Sequence, residues 1–134
     1  MINRLVAIFF CLLLFFGCNK RPTEDEKPIE EKIIGKWKMV EIYDGKKDIS
    51  KERNPKGDRV LEFKKDSIYH SSGRPFAPRS GYWHFNETKE ILFMDSEAGP
   101  GDDSKWVVSF KNDTFLFHGK SPFIRTVYAK WVKI

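Results

Sequence analysis

The chain has 134 residues, with 24 lysines and arginines against 19 aspartates and glutamates. This length suits one domain with a single modest core. The formal net charge of +5 is mild, and no basic patch interleaved with aromatic residues appears along the chain. We therefore expect no nucleic acid among its partners.

The N-terminal stretch is strongly apolar and stops abruptly at a cysteine. Residues 5–16 form an apolar run after Arg4, and Gly17 and Cys18 follow directly. A helix rises about 1.5 Å per residue, so this run reaches roughly 18 Å, short of the roughly 30 Å hydrocarbon core. A cationic start, a short apolar segment and a small residue at the cut are the parts of a secretory signal peptide. An uncleaved anchor with an unmodified Cys18 is the alternative.

The pair Gly17-Cys18 resembles the end of a bacterial lipoprotein signal, in which the cysteine after the cut receives a diacylglycerol and then an N-acyl chain. The resemblance implies a signal peptide over residues 1–17 and a lipidated Cys18 that anchors the protein in the bilayer. Two or three acyl chains give stable anchoring, because burial contributes about 0.8 kcal/mol per CH₂. We expect the bacterial cell envelope as the location, with the outer membrane, on its periplasmic face or at the cell surface, favoured. Cys11 leaves with the signal, so the remaining domain has no disulfide and no free thiol.

The segment after the cysteine is polar. Residues 19–32 (NKRPTEDEKPIEEK) contain one apolar residue besides proline, which is too little to bury. We therefore predict a flexible linker over 18–32 and a domain over 33–134. Pro28 is suited to start a short helical turn ahead of Ile33.

From Ile33 onward, short aromatic and β-branched runs alternate with turn residues, without a long helical period. The runs predict eight strands, at 33–43, 59–64, 67–71, 81–86, 90–95, 105–110, 113–118 and 125–133. Tight connections alternate with long ones along the chain. In an up-and-down meander, consecutive turns lie at opposite ends of the sheet. All long loops therefore gather at one end. Eight antiparallel strands that close on themselves leave no exposed edge and form a cup with a loop-rimmed mouth.

The sequence Gly35-Lys36-Trp37 begins the first predicted strand. A G-x-W at this point of an eight-strand meander resembles the lipocalin signature, and residues 33–134 are similar to the lipocalin-like domain of bacterial lipoproteins. The resemblance implies an all-β, eight-stranded antiparallel up-and-down barrel, closed at one end by Gly35 and Trp37, with a cation of the last strand packed across the indole. We assign Lys130 to that role, because it lies nearer the strand's end than Arg125. A flattened β-sandwich with the same strand count is the alternative.

Alternation along the predicted strands identifies the residues that face the interior. These candidates are Leu61, Phe63, Trp83, Phe85, Trp106, Phe110, Phe115 and Phe117. They either line a cavity for an apolar or planar ligand or fill the barrel completely. The loops of the mouth carry Arg74, Arg79 and Arg125, which mildly favour an anionic head group. The negative charges of the acidic loop 95–103 argue against an anionic head group.

Patterns for catalysis and for metal binding are missing from the sequence. The acidic loop lacks the alternation of a calcium site, and the three histidines, His70, His84 and His118, lie on separate predicted strands. Neither G-x-S-x-G nor H-E-x-x-H occurs. We predict a monomeric non-enzyme without cofactor or metal. Two functions stay open: a tethered carrier of a small hydrophobic molecule, or an interaction module whose loops 44–58 and 72–80 bind an envelope protein.

Overall fold

The computed structural model describes residues 21–134 of the chain. The predictions of a signal peptide at 1–17 and of lipidation at Cys18 lie outside the described residues. Within the described part, no helix has the length and apolar character needed to span a bilayer.

Strands account for about half of the described residues. They are β1 (Gly35–Asp44), β2 (Lys47–Asp48), β3 (Val60–Phe63), β4 (Ile68–Ser72), β5 (Arg79–Asn86), β6 (Ile91–Ser96), β7 (Ser104–Lys111), β8 (Thr114–Gly119) and β9 (Val127–Lys133). The helices are α1 (Ile29–Ile33) and α2 (Ser50–Arg53), with 3-10 helices at Glu24–Glu26, Pro100–Asp102 and Pro122–Ile124. All eight predicted strands are present, with ends that differ by at most two residues. The short β2 and helix α2, both inside the predicted loop 44–58, were not predicted.

The strands form one antiparallel sheet that closes on itself. Its order is β2-β1-β3-β4-β5-β6-β7-β8-β9, and an additional pairing joins β1 to β9. The two-residue β2 pairs only with the end of β1, so the other eight strands form the closed barrel. The predicted eight-stranded up-and-down barrel is confirmed, and the flattened sandwich is not the fold.

Short and long connections lie at opposite ends of the barrel. The turns at 64–67, 87–90 and 112–113 lie at the end where β1 begins and β9 finishes, which we call the closed end. The loops at 45–59, 73–78, 97–103 and 120–126 lie at the other end, which we call the mouth. The mouth loops carry α2 and two of the 3-10 helices, so most of the irregular structure surrounds one opening.

In strand β1, the alternation of inward-facing and outward-facing residues shifts by one position at a β-bulge. Trp37 and Met39 are buried, and so is Ile42, although strict alternation would turn Ile42 outward. The pairing with β9 passes from Met39–Trp131 directly to Glu41–Lys130, which leaves Val40 as the extra residue. A bulge of this kind bends its strand and increases the local twist. It allows β1 to keep apolar side chains inside the barrel on both sides of the bulge, from Trp37 to Ile42.

Helix α1 covers the closed end. It begins after Pro28, and Ile33 at its last position is fully buried. The Ile33 carbonyl accepts a hydrogen bond from Nε1 of Trp37 at 2.8 Å. Lys32 places its ammonium 6.0 Å from the centroid of the Phe110 ring. The last residues of the predicted linker 18–32 therefore belong to a helix that packs against the barrel.

Candidate functional site

The closed half of the barrel is filled by aromatic side chains. The Trp37 and Phe115 rings have centroids 4.9 Å apart, and Phe110 stacks on Phe115 at 4.4 Å. Phe63 meets Trp83 edge-on at 5.6 Å. Offset-stacked and edge-on arrangements are the preferred geometries of aromatic pairs. We call these five residues the aromatic floor, because they close the interior below the open half.

The open half encloses a cavity of about 340 Å³ that reaches the mouth. This volume lies near the lower limit of small-molecule pockets, which occupy roughly 300–1,000 Å³. Its wall consists largely of apolar side chains: Met39, Ile42, Leu61, Met94, Trp106, Phe117, Ala129 and Trp131. Methionine side chains are flexible and polarizable, so Met39 and Met94 can adapt to ligands of different shape.

Charged side chains surround the cavity where it opens at the mouth. Nη1 of Arg79 forms an ion pair with Oδ2 of Asp102 at 2.7 Å. Asp44 also lines the opening, and its carboxylate accepts a hydrogen bond from the hydroxyl of Thr126. The rim therefore combines paired charges with hydrogen-bonded ones, and it is polar where the wall below is apolar.

Two further arginines share one aromatic ring at the rim. The guanidinium carbon of Arg59 lies 4.8 Å from the Phe76 ring centroid, and that of Arg53 lies 5.8 Å from it. Burial lowers the pKa of Arg59, and the neighbouring positive charge of Arg53 lowers that pKa further. Both side chains line the cavity, so two cations face the same opening.

The cavity wall also contains buried polar groups. Burial raises the pKa of the Tyr69 hydroxyl. Nε1 of Trp131 is buried and finds no hydrogen-bond partner among the described residues. An unsatisfied buried donor costs about 1–3 kcal/mol. Residues 21–134 contain no group of three His, Cys, Asp or Glu side chains placed to hold a metal ion.

The predicted interior residues separate into two groups. Three of them, Leu61, Trp106 and Phe117, line the cavity. The other five, Phe63, Trp83, Phe85, Phe110 and Phe115, pack in the core outside the cavity wall. One half of the barrel therefore contains a cavity, and packed side chains fill the other half.

The predicted arginines of the mouth differ in position. Arg79 lines the cavity, whereas Arg74 and Arg125 do not. Arg74 is held by Asp58 instead, with Nε 3.0 Å from Oδ2 and its backbone N–H donating to Oδ1. Arg53 and Arg59 were not predicted as site residues. No local pattern distinguishes them, because their meeting depends on how loop 45–59 folds over the mouth.

The closed end carries Gly35 and Trp37, as the lipocalin resemblance implies, but the cation over the indole is not Lys130. Nζ of Lys133 lies 5.4 Å from the Trp37 ring centroid. In β9, Ala129 and Trp131 are buried and face inward, so Lys133 faces the same way and pairs with Trp37 in register. Lys130 lies on the outer face, 3.8 Å from Glu41. The alternation of Ala129 and Trp131 was visible in the sequence and identifies Lys133.

Comparison with known proteins bears on the fold. No protein-family model matches the chain, and no curated protein matches it. The chain is similar to the crystal structure, at 1.00 Å resolution, of a DUF4847 family protein from Bacteroides vulgatus ATCC 8482, with a TM-score of 0.55 and 14% sequence identity. The alignment covers 78% of this chain and 96% of that one. At this identity the likeness shows the fold, and it fits a lipocalin-like barrel.

Proposed function

We propose that this protein is a membrane-anchored, lipocalin-like lipoprotein of the bacterial cell envelope that binds one small hydrophobic or amphipathic ligand. The observation that carries the proposal is the cavity of about 340 Å³ above the aromatic floor, with an apolar wall and a polar rim. A pocket with one apolar end and one polar end favours a ligand built in the same way. The protein acts by binding, without catalysis.

The size of the cavity limits the ligand. The volume of about 340 Å³ lies at the small end of the roughly 300–1,000 Å³ that small-molecule pockets occupy. Each CH₂ group moved from water into the apolar wall contributes about 0.8 kcal/mol. A single short acyl chain or a small ring system fits these limits, and a two-chain phospholipid does not.

The path of the chain supports a particular presentation of the site. Helix α1 and the start of β1 lie at the closed end, so a lipid on Cys18 joins the barrel from that side. The mouth then faces away from the membrane and toward ligands in the surrounding space.

Native mass spectrometry tests the binding function. The full chain, purified from bacterial envelopes and released from detergent in the spectrometer, is expected to carry an excess mass that disappears on denaturation. Ala129→Leu adds side-chain volume at a buried wall position and should reduce this ligand-bound fraction strongly. Val107→Leu enlarges an exposed residue of β7 and serves as the matched control with unchanged binding. A bare wild-type mass, still bare after incubation with envelope lipid extract, would contradict the proposal.

A second candidate function rests on Phe123. This ring is 97% exposed at the rim, in the 3-10 helix Pro122–Ile124. Aromatic residues are enriched in protein–protein interfaces, so a ring presented in this way suits a contact with another envelope protein. A photo-crosslinking residue placed at position 123 in cells tests the candidate, with position 107 as control. A specific protein adduct at 123, together with a bare mass in the native spectrum, would favour the interaction module over the carrier.

A further inference from the structure

The rim contains two arginines without a carboxylate partner. Within the described part of the chain, neither Arg53 nor Arg59 has an acidic oxygen within 4.0 Å, whereas Arg79 is neutralised by Asp102. Two like charges that share the ring of Phe76 repel one another, and partial burial of Arg59 strengthens that repulsion because it lowers the local dielectric. An anion placed between them would relieve this cost.

Arg59 is held in place by its neighbours. Its backbone N–H donates to Oδ1 of Asn54 at 3.1 Å, and its carbonyl accepts from the N–H of Met39 at 3.0 Å. In the side chain, Nη1 lies 3.4 Å from the Arg53 carbonyl oxygen and 3.9 Å from the Met39 sulfur. Both are weak partners for a guanidinium, which has five N–H donors in a planar fork. Across residues 21–134, its Nε and Nη2 have no hydrogen-bond partner, so the fork is free to bind an anion through two donors.

The position of Arg59 joins the rim to the apolar wall. Its guanidinium contacts the Met39 sulfur, and Met39 belongs to the cavity wall together with Leu61. An anion bound at Arg59 therefore has an apolar space directly below it. Among residues 21–134, the acids at the opening do not pair with these two arginines: Asp102 is paired with Arg79, and Asp44 accepts a hydrogen bond from Thr126 and forms no salt bridge with Arg53 or Arg59.

We propose that Arg59 and Arg53 bind the anionic head group of a single-chain amphiphile, a carboxylate or a phosphate monoester, whose tail occupies the cavity. This inference rests on the proposed ligand-binding function and adds the chemical class of the ligand and its orientation. The head group lies at the rim over Phe76, and the tail points toward the aromatic floor.

Three probes with the same ten-carbon chain test the inference: decanoate, decyl phosphate and uncharged 1-decanol. Their affinities for the full chain are measured by isothermal titration calorimetry, below the critical micelle concentrations of the two anions and below the solubility limit of decanol. We expect the wild type to bind both anions about tenfold more tightly than decanol, which corresponds to about 1.4 kcal/mol. Arg59→Gln should remove this advantage and leave decanol binding within about twofold. Preferential binding of decyl phosphate identifies a phosphate head group, and preferential binding of decanoate identifies a free acid.

The variants are chosen so that loss of folding is not mistaken for loss of the site. Arg53→Gln changes an exposed residue and should weaken anion binding severalfold, with an unchanged circular dichroism spectrum and melting temperature. Arg125→Gln removes an exposed cation of the mouth that does not line the cavity and, within residues 21–134, forms no salt bridge, so it should leave all three affinities unchanged. Equal affinities of decanol and the anions for the wild type would overturn the head-group assignment and leave the carrier function standing. Failure of all three probes to bind would overturn both.

Discussion

Trp37 and Trp131 have the same burial and different hydrogen bonding. Each is 3% exposed, but Nε1 of Trp37 donates to the Ile33 carbonyl at 2.8 Å, whereas Nε1 of Trp131 has no partner among the described residues. Removing one partner of a buried hydrogen bond leaves the other unsatisfied, and removing an orphan donor leaves nothing unsatisfied.

Matched substitutions of these two tryptophans measure how much the hydrogen bond of Trp37 contributes to stability. We expect Trp37→Phe to lower the free energy of unfolding by about 1–2 kcal/mol more than Trp131→Phe does. The comparison is made by urea denaturation of both variants beside the wild type. Equal losses, or a larger loss for Trp131→Phe, would show that the bond to Ile33 contributes nothing at the closed end.

The cation over Trp37 gives a second test at the scale of single residues. Lys133→Met should lower the free energy of unfolding by about 0.5–1 kcal/mol, because the attraction of an ammonium to an indole face has that size at exposed sites. Lys130→Met, which removes only the exposed contact with Glu41, should cost less than about 0.5 kcal/mol. If Lys130→Met lowers the free energy of unfolding more than Lys133→Met does, in thermal or urea denaturation, Lys130 and not Lys133 is the cation that stabilises the closed end.

At the scale of elements, helix α1 acts as the plug of the closed end. Ile33→Ala should lower the free energy of unfolding by about 2–4 kcal/mol, since it empties a fully buried site between the helix and the floor. Ile134→Ala is the control: this position is 64% exposed, so the free energy of unfolding should stay close to that of the wild type. A small effect of Ile33→Ala in urea denaturation would mean that α1 does not stabilise the barrel.

The elements also show what sequence patterns can and cannot predict. Turn residues and alternation predicted all eight barrel strands and their up-and-down order, because each strand's signal is local. The bulge at Val40 was not predictable, since an extra residue is defined only by the register with β9. Helix α2 was missed for a related reason. It is one turn long, and contacts with β1 hold it: the Ser50 hydroxyl accepts a hydrogen bond from the Ile42 N–H, and Nδ2 of Asn54 donates to the Met39 carbonyl.

The candidate site was predictable only in part. Leu61, Trp106 and Phe117 follow from alternation, which identifies the face of a strand but not the depth of a residue in the barrel. Depth decides whether a ring lines the cavity or belongs to the floor, and it follows from the tilt and stagger of the strands. Arg59 directly precedes β3, where no local pattern distinguishes it, and its position at the rim depends on how the mouth loops meet.

At the scale of the whole molecule, the barrel divides into a solid half and a hollow half. The aromatic floor and α1 close one end, and the cavity of about 340 Å³ opens at the other. A solid closed half supplies the buried apolar area that a domain of this size needs for stability, so the open half is free to remain hollow. The packed core thus lies at one end of the sheet, and the proposed binding site lies at the other.

Methyl NMR with labelled methionine and isoleucine tests this division most directly. Met39 and Met94 lie in the cavity wall, and Ile33 lies at the closed end. On titration with 1-decanol, the methyl signals of Met39 and Met94 should shift with one common dissociation constant, while that of Ile33 stays in place. Unchanged methionine signals at saturating decanol, or shifts largest at Ile33, would contradict a ligand cavity in the open half.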